Sequence, residues 1–133
     1  MKDDNKEIQP ADLVELDFLE KVVARLPEDV RVLEVLGDLY TRVGRYEDGL
    51  NVDRTLSRLD PENMTVWYNL GCSLALVNKR DAALKALQRS VELGYRDREW
   101  MSADSDLQSL RGEKEFKSLL KRLSTFSSKE THE

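Results

Sequence analysis

Residues 66–84 read VWYNLGCSLALVNKRDAAL, and residues 32–50, 34 positions earlier, read VLEVLGDLYTRVGRYEDGL. Both stretches spell an amphipathic helix, a break, and the start of a second helix. Val32, Leu36, Leu39 and Val43 step by four, three and four, which keeps them on one face of a helix. Trp67, Leu70, Leu74 and Val77 do the same one period later. The second halves carry Tyr46, Leu50, Leu56 and Leu59, then Ala83, Leu84, Leu87 and Val91. Superposing 30–63 on 64–97 gives six identities: Val32/Val66, Leu36/Leu70, Gly37/Gly71, Val43/Val77, Leu50/Leu84 and Leu59/Leu93. Their placement, more than their number, makes the repeat.

Punctuation repeats in the same phase. Pro27 and Pro61 are one period apart, and Asp29, Asn63 and Asp97 share a register. Short polar side chains there accept hydrogen bonds from the free amides that begin a helix. Gly44 and Asn78 fall between the two helices of each unit, where a left-handed residue ends a helix with least strain. Glu47, Asp48 and Asp81 then place negative charge in the first turn of the second helix, which suits its dipole. Gly37 and Gly71 fall inside helices, where glycine costs roughly 0.5–1 kcal/mol against alanine. A cost repeated in register predicts two helix axes crossing too closely for a side chain, with Gly49 and Ala83 opposite.

A 34-residue helical hairpin carrying WYNLGCSLALVNKRDAALKALQRSVEL resembles the tetratricopeptide repeat. Trp67, Leu70, Gly71, Leu74, Ala83, Leu87 and the Leu59-Asp60-Pro61 run match its signature, as do Leu36, Gly37, Tyr40, Gly44, Tyr46 and Gly49 in the first copy. The resemblance implies an all-α fold, a right-handed solenoid of antiparallel hairpins. It divides the chain into a leading helix at 11–26, repeats at 30–63 and 64–97, and a capping segment at 98–124. In that segment it implies a short helix near 98–102, a turn through DSDLQSLRG, and a last helix over 113–124 buried through Phe116, Leu119, Leu120 and Leu123. The end of a hairpin stack needs such a polar-backed cover. Residues 1–10 and 125–133 are expected to be disordered tails. Three positions depart from the pattern. Asp53 stands where the family has a large apolar residue, and either an ion pair with Arg54 or Arg58 or a local helix rotation would accommodate it. Ser90 replaces an alanine, and Tyr95 stands where Pro61 would recur.

Composition narrows the function. At 133 residues, with 40% hydrophobic and 35% charged residues, the chain fits one helix-rich domain with a core of its own. Its net charge of −5 is uneven: residues 1–29 hold four Lys/Arg against nine Asp/Glu, whereas 64–97 hold five against three. No segment supplies the basic stripe that nucleic acid requires, so no nucleic-acid partner is expected. No apolar run approaches 18 residues, so no membrane insertion is expected. The polar start MKDDNKEIQP has no signal-peptide core, and a lone cysteine suits a reducing compartment; cytoplasm is the expected location.

Constellations for catalysis are missing from the sequence, and no enzyme activity and no cofactor are expected. Cys72 is the only thiol, and His132, the only histidine, falls in an expected tail. Asp104 and Asp106 resemble the start of a calcium loop, but LQSLRGEKE lacks the later ligands, so capping or turn roles are the better reading. Gly94 and Gly112 stand alone and make no phosphate-binding loop. Trp67 and Trp100 are placed inward by helical phase.

In tetratricopeptide proteins the first helices of the hairpins line a concave groove. By phase, that face carries Arg31, Glu34, Asp38, Thr41 and Arg42 in the first repeat, and Thr65, Tyr68, Asn69, Cys72 and Leu76 in the second. These residues are the candidate partner-binding set of an adaptor that holds a peptide segment of another protein. Some members clamp the C-terminal carboxylate of acidic heat-shock protein tails with lysine, asparagine and arginine. Here Asn69 matches, but Glu34 and Asp38 would repel a carboxylate, so a ligand bearing Lys or Arg is expected. The alternative is a self-associating module, a homodimer held by an incompletely covered N-terminal end at Leu13, Leu16, Leu19 and Val22.

Overall fold

Asp29, Asn63 and Asp97, one phase of the 34-residue period, each start a helix. Residues 8–131 are described in a computed structural model of the chain. In order they form α1 (Pro10–Arg25), α2 (Val30–Arg42), α3 (Tyr46–Leu59), α4 (Met64–Leu76), α5 (Arg80–Glu92), α6 (Arg98–Ala103), a 3₁₀ helix (Ser105–Leu110) and α7 (Lys114–Thr131). Among the described residues there is no strand. Helices α2 and α3 make one hairpin, α4 and α5 the next, and α3 packs on α4 to stack the two.

Local chemistry accounts for the boundaries. The Asp29 carboxylate accepts from the amides of Arg31 and Val32 at 3.1 and 3.2 Å, and the Asn63 side-chain Oδ1 accepts from the amides of Thr65 and Val66 at 2.9 and 3.4 Å. Gly44 and Asn78 adopt φ of +82° and +63°, the left-handed conformation that stops α2 and α4. The chain then closes each helix end through Arg45 N–H to Tyr40 O (2.8 Å) and Lys79 N–H to Leu74 O (2.9 Å).

The close crossing expected at the helix glycines is present, with two different clearances. A Cβ on Gly37 would lie 3.2 Å from Val52 Cγ1 and 3.3 Å from Asp53 Oδ1, and one on Gly71 would lie 2.8 Å from both Cγ and Cδ2 of Leu87. Gly49 and Ala83 do sit opposite: a Cβ on Gly49 would be 3.7 Å from the Gly37 carbonyl, and the Ala83 carbonyl is 3.3 Å from the Gly71 position.

Two apolar clusters run along the stack. Leu16, Leu33, Leu36, Leu39 and Leu56, with Val66 at the start of α4, join α1, the first hairpin and the edge of the second. Leu70, Leu84 and Leu87 of the second hairpin join Met101, Leu107, Leu110, Phe116, Leu119 and Leu123 of the C-terminal segment. Each fully buried side chain of this size contributes about 1.5–3 kcal/mol by leaving water. Polar departures from the repeat are absorbed inside the stack. Asp53 is buried and takes a hydrogen bond from the Ser73 hydroxyl, a partner supplied by the neighbouring hairpin. The Ser90 hydroxyl donates to the Met64 carbonyl at 2.7 Å.

Two expectations are corrected. Trp100 lies on the surface at 38% exposure, because α6 is too short to carry the phase of a third hairpin. Trp67, by contrast, does pack against the core, half-buried, its indole N–H donating to the Pro61 carbonyl at 2.8 Å. Helix α7 runs on to Thr131, through most of the stretch expected to be a tail. Residues 1–7, and His132 with Glu133, lie outside the described residues.

Candidate protein-binding faces

On the first-helix face, α2 presents Arg31, Glu34, Asp38 and Arg42 to solvent. Thr41 is only half-exposed; its hydroxyl donates to the Gly37 carbonyl at 3.2 Å and stands beside Gly49. Arg42 reaches back to α1, with Nη1 3.1 Å from Oδ1 of the buried Asp12. This guanidinium therefore ties the leading helix to the first hairpin and is partly engaged. The exposed acidic part of the face is Glu34 and Asp38.

Helix α4 contributes less than its sequence suggests. Thr65 is exposed, and Asn69 and Leu76 are half-buried. Tyr68 and Cys72 are buried, which removes them from any open groove. Their cover is the segment joining α6 to the 3₁₀ helix. The Tyr68 hydroxyl donates to Asp104 Oδ2 at 2.8 Å, and Cys72 Sγ lies 3.7 Å from the same oxygen. The ring of Tyr95 stacks on that of Tyr68, centroids 4.7 Å apart and planes at 11°. Ser109 Oγ donates to the Ala75 carbonyl at 3.2 Å, fixing the 3₁₀ helix along α4. Burial, reinforced by the nearby Cys72 and Asp104, raises the Tyr68 phenol far above its ordinary value of 10.0. Polar character at Tyr68 and Cys72 serves the cap, not a ligand.

Cys72, Asp104 and Asp106 bring a sulfur and two carboxylates within 4.8 Å of one another. Three donors at that spacing meet the distance requirement for a metal ion, but they mix soft and hard ligands. Both oxygens of Asp104 also hold the cap in place. Oδ1 caps the 3₁₀ helix by accepting from the Asp106 amide at 3.0 Å, and Oδ2 receives Tyr68. The capping role expected here is the observed one for Asp104, with Asp106 in the first turn of the 3₁₀ helix that it caps.

At the other end, α1 turns a largely apolar face outward. Leu13, Val14 and Phe18 are exposed, Leu19 and Val22 are half-buried, and Leu16 is buried beneath them against the first hairpin. The expectation of an uncovered N-terminal end thus applies to α1, with Phe18 added and Leu16 removed. Tyr40 anchors the inner side of this helix: its hydroxyl donates to Glu20 Oε2 at 2.7 Å while Arg45 lies over its ring at 4.9 Å. Burial first, then the Glu20 carboxylate, pushes the Tyr40 phenol up to about 12.

No model of a known protein family matches the chain. It is 34% identical over 86 residues to a chloroplastic protein of Arabidopsis thaliana, an alignment covering 62% of this chain and 26% of that protein. It is 34% identical over 74 residues to the protein CTR9 homolog of Arabidopsis thaliana, covering 56% of this chain and 7% of that one. The chain therefore spans about a quarter or less of these relatives. Among solved structures it is similar to MamA MSR-1 C2 at a TM-score of 0.69, with 21% identity over 89% of this chain and 70% of that chain. It is also similar to the crystal structure of MamA at 0.60, with 18% identity over 89% and 90% of the two chains.

Proposed function

We propose that this chain, which has the tetratricopeptide-repeat fold, is a protein-interaction module that binds an extended basic segment of a partner on its first-helix face. The observation that carries this reading is the contrast between the two halves of that face. On α4 the chain covers its own residues, with Asp104 seated on Tyr68 and Cys72. On α2 it leaves Glu34 and Asp38 exposed, one helical turn apart, with Arg31 and Arg42 at the two ends. Thr65 and Asn69 extend the strip onto α4 up to the edge of the cap. Such a surface is short and polar, with two neighbouring carboxylates at its centre, suited to an extended peptide that places Lys or Arg beside them.

An array of immobilised ten-residue peptides, lysine- or arginine-bearing against glutamate-bearing, tests this with wild type and the Glu34→Lys/Asp38→Lys variant. Retention on basic peptides that the variant loses, and that falls with added salt, supports the groove. Equal retention of both proteins on every peptide refutes it.

A further inference from the structure

Charge is divided unevenly along the stack. Residues 8–63 hold seven Lys/Arg against thirteen Asp/Glu. On α7 the balance reverses: Lys114, Lys117, Lys121 and Arg122 accompany Glu115, the one carboxylate of that helix up to Phe126. All four cations are exposed, and none forms an ion pair with a carboxylate of residues 8–126. Arg42, Arg45 and Arg89, by contrast, pair with Asp12, Asp48 and Glu92.

Two of the four border a cleft between α5 and α7, away from the first-helix face. It is lined by Gln88, Lys114, Glu115, Ser118, Leu119 and Arg122 and holds about 210 Å³ of free space. Small-molecule pockets run to roughly 300–1,000 Å³, so this one suits a side chain laid in from a passing backbone. Leu119, at 3% exposure, is the apolar floor. Lys114 and Arg122 bracket it along α7, and their methylene stems extend the apolar wall while the charges stay in water.

We propose that this cleft binds an extended acidic segment of a partner protein, with Asp or Glu at positions i and i+4 beside Lys114 and Arg122 and an apolar residue at i+2 over Leu119. The spacing selects that pattern. Eight helical steps separate the two cations by about 12 Å, and five residues of extended chain span about 13 Å. In such a chain the side chains at i, i+2 and i+4 point the same way. Charge complementarity selects the acidic ends, because each cation lacks a carboxylate of its own. Glu115 adjoins Lys114 and offsets part of its attraction, so the Arg122 end carries more of the binding, through a guanidinium able to hold a carboxylate by two hydrogen bonds. In this sequence the pattern occurs only at Glu34, Leu36 and Asp38, where the chain is helical and Leu36 is buried. A second folded copy therefore offers no such segment.

The test titrates the isotope-labelled whole chain with three peptides, followed by two-dimensional NMR. They are GSESLSESG, its isomer GSEESLSSG with adjacent glutamates, and the basic GSKSLSKSG. GSESLSESG should shift the amides of Gln88, Ser118 and Leu119 and bind about threefold tighter than its isomer. Arg122→Glu should weaken it about fivefold and Lys114→Glu about threefold, each exposed ion pair being worth up to about 1 kcal/mol. In the Lys114→Glu/Arg122→Glu variant the same amides should respond to GSKSLSKSG instead. Arg122 also lies 5.8 Å from the Phe126 ring, so if Arg122→Glu alters the far-UV circular dichroism, Lys114→Glu and the two isomers decide. Equal affinity for the isomers, shifts outside α5 and α7, or insensitivity to the charge reversals overturns the proposal. A molecular mass that rises with concentration in wild type and not in Arg122→Glu overturns it too, assigning the cleft to a second copy.

Discussion

Alanine in place of the two repeat-equivalent glycines should have unequal consequences, near-neutral at one and destabilising at the other. Either substitution gains about 1 kcal/mol of helix propensity. At position 37 the new Cβ would meet Val52 Cγ1 at 3.2 Å and Asp53 Oδ1 at 3.3 Å, a fit that a few tenths of an ångström of adjustment restores. Gly37→Ala should therefore leave stability within about 0.5 kcal/mol of wild type. At position 71 the Cβ would lie 2.8 Å from two atoms of Leu87, which is fully buried among other core side chains. Overpacking of this kind costs about 1–3 kcal/mol, occasionally more, and the near-zero exposure of Leu87 places it at the upper end. The net loss for Gly71→Ala is then about 1–2 kcal/mol, a fall of roughly 4–8 °C in melting temperature for a chain of this size.

Thermal and urea unfolding followed by far-UV circular dichroism read the difference directly. Coincident transitions at two wavelengths would confirm that the stacked hairpins melt together. A double-mutant cycle isolates the cause. Leu87→Ala alone should cost about 2–5 kcal/mol, whereas Gly71→Ala added to it should stabilise by about 1 kcal/mol, giving a coupling of roughly 2–3 kcal/mol. The reasoning fails if Gly71→Ala is as stable as wild type. It also fails if the penalty persists in the Leu87→Ala background, since the obstacle would then be the Ala83 carbonyl.

Removing the Ser73 hydroxyl by Ser73→Ala should cost about 1–3 kcal/mol, because the buried Asp53 carboxylate loses that donor; urea midpoints that match wild type would contradict this. Alkaline stability should decline above pH 10: folded Tyr40 ionises near 12, and Tyr68 and Tyr95 are also raised, while their unfolded counterparts ionise near 10.0. The folded state holds those protons more tightly, so their stabilisation is complete below pH 10 and lost as pH rises. Tyr40→Phe should flatten the slope between pH 10 and 12 in a series of urea midpoints, and an unchanged slope would sink the assignment. Asp29→Ala and Asn63→Ala should each cost about 1 kcal/mol by uncapping α2 and α4, with roughly additive effects in the double variant if the caps act independently.

The hairpins were legible because their signals are local. Period, caps and left-handed stops act within a few residues, and each sits in the same phase twice. What sequence alone misplaced depends mostly on contacts over longer separations. Helical phase placed Tyr68 and Cys72 on an open face, and the cover comes from Asp104, 36 and 32 residues later. A signal was present: Leu70 to Leu76 reads LGCSLAL, with no charged side chain on any face, the composition of a helix enclosed on several sides. Asp53, read alone, was an anomaly, and its partner Ser73 lies 20 residues away in the next hairpin. Paired across α3 and α4 they are one device, since a buried carboxylate requires a buried donor. The stretch TFSSKE contains neither Gly nor Pro, so nothing in it stops α7 where a tail was expected.

The two ends of the stack are treated in opposite ways, and that asymmetry bears on function. At the C-terminal end the chain closes itself: Phe116, Leu119 and Leu123 of α7 are buried, and Arg96 lies over Phe126 at 4.0 Å. Asp104 then ties the cap to α4, so another hairpin cannot stack there without displacing the cap. At the N-terminal end Phe18 and Val14 remain outside, although replacing them by polar residues would cost the fold little at their exposure. Exposed aromatic surface carries an aggregation hazard that a polar side chain would avoid without loss of structure. Among the described residues the stack thus pairs a covered C-terminal end with an exposed apolar face on α1.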